Sequence, residues 1–150
     1  MPSTFEKLNL KNQTRIAVLN APKSFEPELA RLKGVEIARS LNGAGLVDFV
    51  LAFVTKQQEI DALAKSVGKK TRGDAVVWFA YPKGSSKKYK CEINRDQGWQ
   101  ALGAAGFEPV RMIAIDEDWS ATRYRRAEFI KVMTRGKEHR ISAQAKARAD

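Results

Sequence analysis

The sequence predicts an α/β fold: a Rossmann-like three-layer sandwich with a mostly parallel sheet and a C-terminal antiparallel hairpin. Three observations predict it. The runs Phe49–Val54 and Ala75–Tyr81 are unbroken apolar stretches, and a strand normally reads that way only when both its faces are covered. Helical patterns alternate with these runs, as in open α/β sheets. Two segments then flank Asp116-Glu-Asp-Trp119 as a hairpin would.

The elements follow in order. Ser3-x-x-Glu6 is a capping-box pattern before a short helix over 3–9. Thr14–Ala21 has a β-branched centre and predicts the first strand. Pro22 ends it. Ser24–Lys33 predicts a helix with Pro27 in its first turn, where a missing N–H costs little, and Gly34 stops it. Val35–Ser40 predicts a short alternating strand, and Asn42-Gly-Ala-Gly45 a turn. Val47–Val54 is the first buried strand. Thr55-x-x-Gln58 predicts a second capping box, opening a helix whose Ile60, Leu63, Ala64 and Val67 recur at helical spacing and which Gly68 and the polar Lys69-Lys-Thr-Arg-Gly73 end. Ala75–Tyr81 is the second buried strand. Asn94 or Asp96 caps a helix reaching Ala105, with Trp99 and Leu102 on one face and Gly106 closing it. Glu108–Ile115 and Ser120–Ala127 form the hairpin, and a helix over 128–134 packs back with Phe129, Ile130 and Met133. Crossovers are expected to be right-handed.

The 150 residues divide into one α/β domain, 1–135, and a basic flexible tail, 136–150, almost without large apolar side chains. The net charge is +10: residues 121–150 hold 9 Lys/Arg and 3 Asp/Glu (+6), leaving 18 and 14 (+4) for residues 1–120. Such a tail can attract nucleic acid through phosphate neutralisation, or simply keep the chain soluble. The apolar runs are too short to cross a bilayer, so no membrane partner is expected. Cys91 is the only cysteine and His139 the only histidine. An intramolecular disulfide, a Cys-based zinc site and a Ser-His-Asp triad are therefore excluded, and no metal is expected. The expected compartment is the reducing cytoplasm.

In open α/β sheets ligands bind outside the carboxyl ends of the strands, which points to the loop after Tyr81. Lys83, Gly84, Ser85 and Ser86, with Lys87 and Lys88, offer charge, hydroxyl donors and a permissive backbone for a phosphate, although the G-x-x-x-x-G-K-[ST] spacing is absent. The alternative is an exposed solubilising loop. Asp116, Glu117 and Asp118 beside Trp119 could hold a cation or supply a base; equally, they are turn residues, with Trp119 packed over the sheet edge. Arg123 and Arg125 share one face of their strand. They suit an anion, or guard an edge strand against aggregation. Cys91 beside Lys90 reads as a reactive thiol or, more simply, a small packing residue.

Val77-Trp-Phe-Ala-Tyr-Pro-Lys-Gly84, Ile93-Asn-Arg-Asp96, Pro109-Val-Arg111, Ile115-Asp-Glu-Asp-Trp-Ser-Ala121 and Arg123 together resemble an uncharacterised bacterial protein family with a strand–Tyr-Pro-Lys-Gly–helix–Asp-x-x-Trp-Ser-Ala hairpin. Asp48–Val54 extends the match. The resemblance implies a fold and brings no activity. The layout is also similar, more distantly, to Rossmann-like methyltransferases. Their cofactor is held by a glycine-rich turn after the first strand. Here that turn reads Leu19-Asn-Ala-Pro-Lys23, and Asn42-Gly-Ala-Gly45 follows the second strand rather than the first. With the cofactor motif absent, no cofactor is expected.

The function expected from these residues is a non-catalytic binding or interaction module. It would recognise an anionic or phosphate-bearing small molecule through Lys83–Lys88 with Arg123 and Arg125. The alternatives are a divergent transferase-like enzyme with Asp116 or Asp118 as base near Lys83, and nucleic-acid binding through the tail. A homodimer through a sheet edge is compatible with all three.

Overall fold

The computed structural model describes residues 4–11, 13–41, 45–87 and 99–130. The expected caps Ser3, Asn94 and Asp96, Cys91 and the tail with His139 lie outside them.

The chain opens with α1 (Thr4–Lys7) and β1 (Arg15–Leu19). A 3-10 turn (Lys23–Phe25) runs into α2 (Glu26–Ala30), where Pro27 sits in the first turn as expected. Then come β2 (Glu36–Ala38), β3 (Phe49–Phe53), α3 (Gln57–Lys70), β4 (Val76–Pro82), α4 (Gln100–Ala104) and the hairpin strands β5 (Phe107–Ala114) and β6 (Trp119–Arg126). The helix expected over 128–134 is, as far as it is described, a 3-10 turn over Ala127–Phe129.

The six strands stand in the order β2-β1-β3-β4-β6-β5. β2, β1, β3 and β4 are parallel, and β6 runs antiparallel to both β4 and β5. The apolar runs explain this placement. β3 and β4 are buried along their whole length and occupy the middle of the sheet. Alternate side chains feed two cores. On one face Val50, Ala52, Val77 and Phe79 pack with Ile60, Ala64 and Val67 of α3 and Leu102 of α4. On the other Phe49, Leu51, Phe53 and Trp78 pack with Phe5 of α1, Phe25 of the 3-10 turn and Leu29 of α2. These are the helix layers of a three-layer sandwich.

The two ends of α3 show how it is held. α3 ends at Lys70, inside the expected Gly68–Gly73 stretch, and Gly68 itself is still helical. Its missing side chain faces α4, where a Cβ would stand 3.7 Å from the Ala105 Cβ. The helix start is held by Glu59 rather than by Gln58: one Glu59 oxygen accepts from the Thr55 N–H, the Thr55 hydroxyl and the Lys56 N–H, at 2.8, 3.2 and 3.1 Å. Among the described residues no helix is long and apolar enough to cross a membrane.

Candidate functional site at the carboxyl ends of the strands

The strand order fixes where a crevice opens. From β1 the chain steps outward to β2, then returns to β3 on the other side and continues to β4. That reversal makes the carboxyl ends of β1 and β3 the topological switch point, where open α/β sheets bind ligands. The sequence alone placed the site one strand further along, after β4.

Asn20, directly after β1, has φ +58°. A left-handed backbone costs an L-residue roughly 1–2 kcal/mol, and Asn is among the few that adopt it readily. The turn that glycine would otherwise make is thus made by an exposed asparagine, followed by the small Ala21. The sequence signal was present, an Asn between a strand and Ala-Pro, but a search for glycines passes over it. Pro22 then leads into the 3-10 turn, whose Phe25 N–H donates to the Pro22 carbonyl at 2.9 Å.

An aromatic chain joins this turn to the rest of the rim. Phe25 packs on Phe53, the last residue of β3, with ring centres 4.9 Å apart, and Phe53 meets Trp119 edge-on at 5.1 Å. Trp119 is therefore buried in the core on the α1–α2 side of the sheet rather than over an edge, because β6 lies between β4 and β5.

The β5–β6 turn and the loop after β4 are one unit. Asp116 Oδ1 accepts from the backbone N–H groups of Asp118 and Trp119 at 2.8 and 2.9 Å, so this carboxylate builds the turn. The Lys83 N–H donates to the Asp118 carbonyl at 2.8 Å, and the Ser86 hydroxyl to Asp118 Oδ1 at 2.9 Å. Gly84 and Ser85 are exposed at the tip of the loop, and Lys83 is half-buried at its root. Lys83, Gly84, Ser85, Ser86, Asp116 and Trp119 thus come together. No group of three or more His, Cys, Asp or Glu suited to a metal occurs among the described residues.

Arg123 and Arg125 do not join them. Arg123 pairs in register with Trp78, midway along β4, roughly 17 Å from Lys83 at the usual rise per strand residue. Arg125 lies further still, at the amino end of β4. There it forks onto Asp74, Nε to Oδ1 and Nη2 to Oδ2, both at 2.6 Å, and this bonding raises it above the usual guanidinium range. Arg123 lies below that range, chiefly through burial and then the like charges of Arg125 and Arg111, with Asp74 acting the other way. Neither arginine guards an edge, since the edge strands are β2 and β5.

No protein-family model matches the chain, and no curated protein matches it by sequence. Solved structures do match. A SAM-dependent methyltransferase from Aquifex aeolicus superposes with a TM-score of 0.54 at 14% identity, over 82% of this chain and 87% of that one. The N-methyltransferase NodS from Bradyrhizobium japonicum WM9 gives 0.50 at 10% identity, over 76% and 86%. The fibrillarin pre-rRNA processing protein of Methanococcus jannaschii gives 0.51 at 15%, over 77% and 67%. At these identities the likeness concerns the fold: a Rossmann-like sheet of the methyltransferase layout. It also corrects the expectation of a non-catalytic binding module. The neighbours named as enzymes are methyltransferases, which favours the transferase-like alternative.

Proposed function

We propose that the chain is a divergent transferase-like enzyme working at the carboxyl-end rim. The observation that carries this reading is the switch point between β1 and β3, with Asn20 turning left-handed directly after β1. The methyltransferases that share the fold support it.

A methionine-derived methyl donor is the cofactor this fold implies, and the turn fits it in backbone shape. Asn20 takes the left-handed conformation of the missing glycine, and Ala21 leaves room for close approach. Pro22 withholds one backbone donor, so the cradle is leaner than a glycine-rich one. When bound, such a group supplies an electrophilic methyl carbon. The chain's own contribution is a carboxylate and a cation at the same rim. Asp118 is oriented by the Ser86 hydroxyl and by the Lys83 backbone, which suits it to accept a proton from an acceptor substrate. The half-buried Lys83 side chain is the adjacent positive charge.

Calorimetric titration with S-adenosylhomocysteine tests the reading. We expect saturable binding, abolished by Ala21→Trp, which fills the approach to the turn, and retained in Asp118→Asn. A folded protein that binds neither this compound nor S-adenosylmethionine would sink the proposal.

A further inference from the structure

We infer that Arg111 and Arg123 form a binding site for a terminal phosphate, on the opposite sheet face from α3 and separate from the rim. The two residues are directly opposed across β5 and β6. They lie on the face of Trp119 and Ala121, since Tyr124 packs into the other core. Like charges opposed in this way destabilise a sheet unless something neutralises them.

Asp74 offsets the charge on Arg123 only in part, since burial and the like charge of Arg125 outweigh it. Asp74 uses both oxygens on Arg125. Arg123 Nε is fully buried and makes no hydrogen bond among the described residues. Arg123 stands in register with the fully buried Trp78 of β4, and a charge near so low-dielectric a neighbourhood attracts an anion more strongly than in water. Arg111 is exposed at the edge strand and completes the pair from outside. Two guanidinium forks carried by directly opposed residues suit the tetrahedral oxygens of a doubly charged phosphate. The site differs from the sequence expectation in its partner: Arg111 belongs to it, and Arg125, already neutralised, does not. It does not depend on the transferase reading.

The test is thermal unfolding of the full chain against increasing inorganic pyrophosphate, with sodium chloride adjusted to hold ionic strength constant. We expect a saturable rise in the unfolding midpoint. Arg111→Gln/Arg123→Gln should abolish it, whereas Lys56→Gln/Lys87→Gln, removing exposed rim lysines, should retain it. Should the glutamine pair fail to fold, Arg111→Lys/Arg123→Lys keeps both charges and loses the forks. Its apparent affinity should fall about tenfold, the equivalent of one charge-assisted hydrogen bond. Full affinity in either arginine pair, loss only in the lysine pair, or no saturable rise in the parent chain overturns the assignment. So does an oligonucleotide lacking a terminal phosphate that competes as well as pyrophosphate does, since the ligand chemistry would then be a phosphodiester backbone.

Discussion

Asn20 and Asp116 each do locally what a glance at composition assigns to something else. Asn20 takes a left-handed conformation at the end of β1, and the cost depends on the side chain. Asn20→Ala should lower stability by about 1–2 kcal/mol, because alanine lacks the local hydrogen bonding that lets Asn tolerate this region. Asn20→Gly should be near neutral in the folded state and slightly costly through a freer unfolded chain. Urea unfolding midpoints of the two variants check this. Equal losses in both would mean that the Asn20 side chain, rather than its backbone, is what matters. Asp116 looked like a base or a cation ligand, yet one of its oxygens already serves two backbone N–H groups. Its neighbour Asp118 is the carboxylate held by side-chain and loop contacts instead. The sequence brought three acidic residues together, and only the turn geometry divides their roles.

At the scale of elements, most of the fold was legible because burial writes itself into the sequence. β3 and β4 are apolar without interruption, and α3 repeats Ile60, Ala64 and Val67 on one face. What was not legible is how elements are tied at their ends. Gly68 reads as a stop signal locally but is a contact point for α4. Arg126 reads as one more charge of a basic strand, yet it clamps the end of α3. Its Nη2 donates to the Thr71 carbonyl and hydroxyl at 3.0 and 3.1 Å and to the Gly68 carbonyl at 3.3 Å, and its Nη1 to the Gly73 carbonyl at 2.9 Å. The guanidinium also lies over the Phe107 ring, 4.9 Å from its centre. A cation there answers the carbonyl groups and dipole at a helix C-terminus. Arg126→Lys keeps the charge but cannot serve so many acceptors, and should cost about 1–3 kcal/mol. Chemical denaturation measures the loss, and hydrogen exchange should place it first in the last turn of α3. A loss below a few tenths of a kcal/mol would mean that water replaces the clamp.

For the whole molecule, the site was harder to read than the fold because a switch point is a property of strand order, not of any segment. β1 and β3 are neighbours although β2 lies between them in the chain, and no local pattern records that. The same order bears on how the molecule unfolds. β3 and β4 carry side chains into both cores, so neither helix layer can detach without exposing a strand that the other layer needs. Phe79 faces α3 and α4, while Trp78, adjacent in sequence, faces the opposite layer and donates its indole N–H to the Leu8 carbonyl at 2.7 Å. Phe79→Ala should cost about 3–5 kcal/mol through its cavity. Trp78→Phe should cost less in volume but leaves the Leu8 carbonyl without that donor, a penalty of about 1–3 kcal/mol. Both should shift one common transition, seen alike by far-ultraviolet circular dichroism and by tryptophan fluorescence. If Trp78→Phe instead split the curve, with helix signal persisting after the aromatic signal is lost, the α1–α2 layer would be a separate cooperative unit. The two cores would then be joined only by proximity, because coupling through β3 and β4 requires that breaking either face weakens the other.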